Sequence, residues 1–192
     1  AGLAGLIQGQ DVIVVGPGLG IDSQAKTVLR AVFAAVRPQQ VMIIDGSAIT
    51  LVAQLGLTPP AAKLVWTPHQ MEWQRLSGIA VQAQTPEANL AAAKKLPGVV
   101  VVKSHRTQVF ADDATYLNSA GSAAMATGGS GDTLTGILAA FIAQFGDTSP
   151  VIAAGVYCHS AVADELAQTQ YVALPSQVIA ALPAYMARIV KK

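Results

Sequence analysis

The sequence predicts an α/β fold with a mostly parallel sheet covered by helices on both faces. Three observations lead there. Short β-branched and aliphatic runs, Val12–Val15, Val41–Ile44, Lys63–Trp66 and Val99–Val102, alternate with alanine-rich stretches of helical periodicity. These runs are apolar almost throughout, as strands buried on both faces are, and do not alternate. Each closes on a glycine or a polar residue: Gly16, Asp45, Thr67 and Lys103.

In chain order, the first nine residues read as the end of a helix or a loop. Val12–Val15 is a strand that closes on Gly16-Pro17-Gly18-Leu19-Gly20. Helical spacing covers about 23–36. The strand Val41–Ile44 closes on Asp45, and a short helix covers 48–55. The strand Lys63–Trp66 leads into Thr67-Pro68-His69. Helices over 70–76 and 86–95 precede the strand Val99–Val102, which ends at Lys103. Two further runs, 108–111 and 114–117, flank Asp112-Asp113 as a β-hairpin. A helix starts near Asp132, with Leu134, Ile137, Leu138, Phe141, Ile142 and Phe145 at helical spacing. Two more cover 149–168 and 175–190. There is no internal repeat, low-complexity tract or linker, so residues 1–192 read as a single domain.

Bulk composition narrows the function classes. Charged residues make up 12% of the chain, about half the usual share, and the formal net charge is +1. No basic field argues for a nucleic-acid partner. The low charge content is consistent with a homo-oligomer. A single cysteine, Cys158, offers no disulfide framework and fits a reducing cytoplasmic location; it reads as a packed helix residue. No apolar run reaches the roughly 18–20 residues that span a bilayer, so no membrane role is expected.

The stretch with most chemical content is Thr127-Gly128-Gly129-Ser130-Gly131-Asp132-Thr133-Leu134-Thr135-Gly136. The first amides of a helix lack internal partners and carry the positive end of its dipole. Glycines let that bare backbone close on an anion. A neighbouring aspartate is then placed to accept a proton from an attacking hydroxyl. Together these features describe a phosphoryl-transfer site. The string is neither a Walker loop, which ends in Gly-Lys-Ser/Thr, nor a dinucleotide fingerprint, which has other glycine spacing. In open α/β sheets ligands bind beyond the carboxyl ends of the strands. Gly18, Gly20, Asp45, His69 and Lys103 all follow strands, and are expected to line one crevice with Asp132.

These residues carry a resemblance. Gly16-Pro17-Gly18-Leu19-Gly20, Asp45-Gly46-Ser47-Ala48, Thr67-Pro68-His69 with Glu72 and Leu76, Lys103 to Thr107, Met125 to Asp132, and Gly155-Val156-Tyr157-Cys158-His159 stand in the order and spacing of one family. From about Asp11 to about Leu166 the chain resembles the ADP/ATP-dependent NAD(P)H-hydrate dehydratases of the ribokinase-like superfamily. The resemblance implies a three-layer α/β/α sandwich. It also implies repair of NADH and NADPH whose reduced ring has added water (NADHX and NADPHX), by phosphorylation of the ring hydroxyl from ADP or ATP and elimination of phosphate.

Carried over by position, Asp132 is the base and a substrate contact. Gly128, Gly129 and Gly131 belong with the nucleotide, as do Lys103, Ser104, His105, Arg106 and Thr107. Gly18 or Gly20, and His69, match contacts to the hydrated cofactor. Mg²⁺ is expected on the donor phosphates, with no dedicated protein cage. An NAD(P)H-hydrate epimerase is an expected partner. The chain also departs from the family. Ser47 replaces a second aspartate, Gln70-Met71 stand between His69 and Glu72, and Lys103 is followed by Ser104. The family's β/α units ahead of the Gly16–Gly20 strand are absent, so the chain is expected to be N-terminally truncated.

Other residues have plain structural readings. Asp45 either caps the helix after it or serves the site, and His69 is either a loop histidine or a substrate contact. Arg106 points to phosphate or to solvent. Glu72 reads as a cap or a partner of Arg75, His159 as a packed helix histidine, Asp164 and Glu165 as a solvated face, and Trp66 and Trp73 as packing. Two competing functions stay open: a vitamin-precursor kinase of the same superfamily, and a non-enzymatic nucleotide-binding module.

Overall fold

The structure is a computed structural model that describes residues 2–191. It divides into two compact units. The first runs to Ser104 and adds Gln108–Thr115; the second comprises His105–Thr107 and the chain from Tyr116 onward.

Among the described residues six strands form one sheet in sequence order: β1 (Val12–Val15), β2 (Val41–Ile44), β3 (Lys63–Trp66), β4 (Val99–Val102), β5 (Gln108–Phe110) and β6 (Thr115–Leu117). β1 to β4 run parallel, with Val12 opposite Val41, Val41 opposite Lys63 and Val65 opposite Val99. β5 returns antiparallel to β4, Val101 facing Val109. Both side-chain sets of the central strands are buried: Met42, Ile44, Leu64, Trp66, Val100 and Val102 on one face, Val41, Ile43, Val65 and Val101 on the other. That double burial is why these strands read as unbroken apolar runs.

Helices of the first unit fill one face. α1 (Leu3–Gln8) and α2 (Ser23–Ala35) contribute Ile7, Ala25, Leu29 and Val32 to the core. α2 begins where Asp22 accepts the Ala25 amide at 2.8 Å, an N-cap worth about 1 kcal/mol. α3 (Gly46–Leu55), α4 (Gln70–Ser77) and α5 (Pro86–Ala93) complete the set. Trp66 and Trp73 are fully buried; their indole N–H groups donate to Pro97 O at 2.9 Å and to Asn89 Oδ1 at 2.8 Å. The 3₁₀ turn Val81–Ala83 follows α4 and has no counterpart in the sequence reading.

The second unit holds the 3₁₀ turn Ala123–Met125 and helices α6 (Ser130–Phe145), α7 (Ser149–Leu166) and α8 (Pro175–Ile189). Ile137 and Phe141 of α6, Cys158 and Val162 of α7, and Val178 and Tyr185 of α8 form its core. Gly155 lets α7 close on α6, since a Cβ there would lie 2.9 Å from Leu138 Cδ2. Cys158 is buried, and burial pushes its thiol up. His159 is 5% exposed, and burial holds its imidazole down at about 4. Asp164, expected on a solvated face, is only partly exposed and turns inward: its Oδ2 accepts the Gly121 amide at 2.7 Å. Glu165 stays at the surface, paired with Arg188 at 2.5 Å. Among the described residues no helix is long and apolar enough to cross a membrane.

Two predictions follow from these packing details. At Gly16 (φ +122°) a Cβ would fall 1.7 Å from the Asp45 carbonyl oxygen. Gly16→Ala is expected to cost at least about 3 kcal/mol in urea unfolding; Gly9→Ala, with nothing within 4 Å, is expected within about 0.5 kcal/mol of the parent. The folded His159 value near 4 lies below its unfolded value near 6.5, so the unfolded chain binds the extra proton first. Stability is therefore full above about pH 6.5 and falls toward pH 4 by about 3 kcal/mol from this group. His159→Gln is expected to remove that part of the slope in unfolding series run from pH 7 to 4.

Candidate functional site

In the first unit, the candidate residues gather at the carboxyl ends of β1, β2, β3 and β4. Past β1, the chain turns through Gly16, Gly18 and Gly20, all at positive φ; Gly16 is buried, whereas Gly18 and Gly20 are exposed and face open space. The Asp45 amide donates to Val15 O at 3.0 Å and its carbonyl accepts from Ala48 N at 3.1 Å. Asp45 stands at the N-cap of α3, but its side chain makes no capping bond. It reaches instead across β3 to the end of β4, where Lys103 Nζ donates to Oδ1 at 2.6 Å. The carboxylate is 2% exposed and the lysine side chain 17%. A charge buried this deeply is stable only with a charged or hydrogen-bonding partner; Lys103 is one.

His69 follows β3 and pairs with Lys103 as a parallel bridge, the Lys103 amide donating to Pro68 O at 2.8 Å. Its side chain caps α4: Nδ1 accepts from the Met71 and Glu72 amides at 3.1 and 3.3 Å. Glu72 answers by accepting the His69 amide on Oε2 at 2.8 Å, closing a capping box. Nothing in residue propensity flags histidine as an N-cap, although the His-x-x-Glu spacing has the form of the box.

In the second unit, Gly128 and Gly129 turn the chain into α6. Gly129 is the N-cap at φ +86°, a conformation that side chains disfavour. Ser130 N bonds back to Thr127 O at 3.3 Å, and the first helical bond runs from Thr133 N to Gly129 O at 2.9 Å. The Gly131 and Asp132 amides therefore lie ahead of the helical ladder, at the positive end of its dipole. Asp132 is the third residue of α6 and is exposed. The helix starts two residues before the expected Asp132, so the aspartate lies inside the first turn. The segment after β4 divides between the units: Ser104 falls in the first, and His105, Arg106 and Thr107 in the second. Arg106 Nη1 donates to Ser119 O, and Thr107, which is buried, accepts from Asn118 N at 2.9 Å. The Gly121 amide, held by Asp164, fixes the chain seven residues before the glycine turn. Among the described residues no group of three His, Cys, Asp or Glu side chains could hold a metal ion.

The family model described as NAD(P)H-hydrate dehydratase matches residues 5–184. The chain belongs to that family. A relative from Lactiplantibacillus plantarum, named ADP-dependent (S)-NAD(P)H-hydrate dehydratase, is 52% identical over 186 residues, covering 97% of this chain and 67% of its own length. The crystal structure of a ribokinase-like superfamily protein from Enterococcus faecalis superposes with a TM-score of 0.93 at 47% identity, over 97% of this chain and 66% of that one. The ADP/ATP-dependent NAD(P)H-hydrate dehydratase of Bacillus subtilis, co-crystallised with ATP and Mg²⁺, gives a TM-score of 0.81 at 27% identity, over 93% of this chain and 64% of its own. This NAD(P)H-hydrate dehydratase family member thus has the ribokinase-like fold, and it spans about two thirds of the length of these relatives.

The Lys103–Asp45 pair can be tested directly. Lys103→Met withdraws an ammonium from a buried carboxylate and is expected to cost about 3 kcal/mol. Asp45→Asn combined with Lys103→Met is expected to recover a large part of that loss in the same urea series, because no formal charge then stays buried at this point.

Proposed function

We propose that this chain carries out the nucleotide-dependent dehydration of hydrated NADH and NADPH. The observation that carries the proposal is the mouth of α6, where two amides precede the helical ladder and an exposed carboxylate stands within the same turn. The amides of Gly128, Gly129 and Gly131 suit the transferring phosphoryl group, which needs donors aimed at its oxygens. Asp132 is the proposed base. It takes the proton of the ring hydroxyl as that oxygen attacks the terminal phosphorus of the donor nucleotide, and the shortened nucleotide leaves. The ring nitrogen then expels phosphate from carbon 6. Loss of a proton from carbon 5 restores the double bond. Hydroxide is a poor leaving group and phosphate a far better one, which is why a lyase consumes a nucleotide.

Lys103, Ser104, His105, Arg106 and Thr107 are the proposed nucleotide-phosphate segment, and Gly18, Gly20 and His69 the proposed contacts to the hydrate. Sequence positions matching the family support both assignments. ADP is the proposed donor, supported by the name of the 52% identical relative. The chemistry of the available donors suits Mg²⁺ held mainly by nucleotide phosphates and water, since the buried Asp45 carboxylate is already engaged by Lys103. When bound, the ion supplies charge neutralisation at the phosphates. The relatives' names favour dehydration over phosphorylation of a vitamin precursor. We further propose a cytoplasmic homo-oligomer, supported by the single buried cysteine and the low charge content. An epimerase is the proposed partner: uncatalysed hydration gives both configurations at carbon 6, whereas a chiral site accepts one.

The assay is recovery of the dihydronicotinamide absorbance from hydrated NADH, with and without ADP. Asp132→Ala is expected to lower turnover by about 10²–10⁴-fold while leaving ADP affinity by calorimetry within twofold. Turnover of the variant at the parental rate would remove Asp132 as the base, and recovery independent of nucleotide would remove the proposed reaction.

A further inference from the structure

We propose that the N-terminus of α4 fixes His69 as a neutral, donor-only imidazole that selects an acceptor oxygen on the hydrated nicotinamide, and that Glu72 is its positioning residue. The inference rests on the dehydratase reading above and deepens it at one contact.

The ring's two nitrogens have different partners. A neutral imidazole has one N–H and one lone pair, and whichever nitrogen accepts cannot carry the proton. His69 Nδ1 accepts two amide hydrogens, from Met71 at 3.1 Å and Glu72 at 3.3 Å. The proton therefore sits on Nε2. Serine, threonine or aspartate would satisfy the same two amides, but none would leave a second donor on the same rigid ring. Histidine does both. The ring is held at one end by the backbone of α4, while its side chain remains 52% exposed.

Glu72 completes the arrangement. It is 5% exposed, its Oε2 accepts the His69 amide at 2.8 Å, and its Oε1 lies 3.3 Å from Nε2. At 3.3 Å that contact is long for an N–H···O bond, so the Nε2 hydrogen can be shared with an arriving oxygen. The backbone of His69 is anchored as well, by its bridge to Lys103. Backbone and Nδ1 are thus held, and Nε2 lies beside Glu72 on a ring that is half exposed.

The chemical consequence is a division of labour. With Nδ1 occupied and Nε2 protonated, His69 has no lone pair with which to take the proton of the ring hydroxyl. It reads a non-reacting acceptor instead: the carboxamide carbonyl of the hydrate. Proton acceptance stays with Asp132. An interaction of this kind is present equally in the bound substrate and the transition state, so its loss appears in KM and not in kcat.

Three measurements test this. His69→Asn keeps a side-chain acceptor for the α4 amides but lacks the distal donor. It is expected to melt at the parental temperature, to raise KM for hydrated NADH about tenfold, and to leave kcat and ADP affinity unchanged. Glu72→Ala is expected to raise the same KM severalfold, and Glu72→Gln, which can still close the capping box, to restore it. In protein labelled with ¹⁵N-histidine, long-range proton–nitrogen spectra of the three histidines, with His69 assigned by its loss in His69→Asn, are expected to show a protonated Nε2 and a bare Nδ1. A protonated Nδ1, or the tautomer mixture of free histidine, would overturn the proposal whatever the activity. Parental KM in His69→Asn would overturn its substrate half. A parent protein with no hydrate turnover would remove the dehydratase reading and that half together, and the tautomer result would still stand.

Discussion

The first unit depends on Asp45. Three strand ends meet at this one residue. Its amide binds the last carbonyl of β1, its carbonyl presses on Gly16 so closely that no side chain fits there, and its carboxylate holds Lys103 at the end of β4. A parallel sheet leaves the final carbonyls and side chains of its strands on one edge, without the hairpins that would tie them together. Asp45 does the tying, forgoing the ordinary cap of α3 that its position offers. Because the acid and base are both largely buried, each constrains the other.

The second unit rests on a different device. Gly129 bends the chain into a helix whose second and third residues have no internal acceptor for their amides. Those amides and the positive end of the helix dipole favour an anion, and for that reason the arrangement suits a phosphoryl group. Asp164 and Ala124 steady the approach to this turn, the first through Gly121 and the second through the amide of Ala173. Asp132, at the third helical position, is exposed. Preorganised donors and a free carboxylate in one helical turn are the parts that phosphoryl transfer needs from a protein.

Much of this was legible in the sequence. The four parallel strands were legible residue for residue as short apolar runs, unbroken in β2 and β4 because both of their faces are buried. Helix ends were legible to within about two residues, Asp22 and Thr85 being ordinary caps. The turns Val81–Ala83 and Ala123–Met125 escaped because three residues carry no period. The Asp45–Lys103 pair escaped because strand order is not written locally: β3 stands between the two strands whose ends carry the partners. Asp164 was assigned to solvent from its charge, yet it lies one helical turn after Ser160, itself buried and bonded to Asn118 at 2.9 Å. That spacing was the available signal. His69 was legible as a site residue but not as a cap, since its role depends on which ring nitrogen meets the backbone.

The central claim is that the amides at the mouth of α6 receive the nucleotide's phosphates. The most direct measurement is a titration of ¹⁵N-labelled protein with ADP, following backbone amide resonances. The largest shifts are expected at Gly131 and Asp132, saturating together with the binding isotherm. Saturation by ADP with both resonances unmoved would contradict the claim.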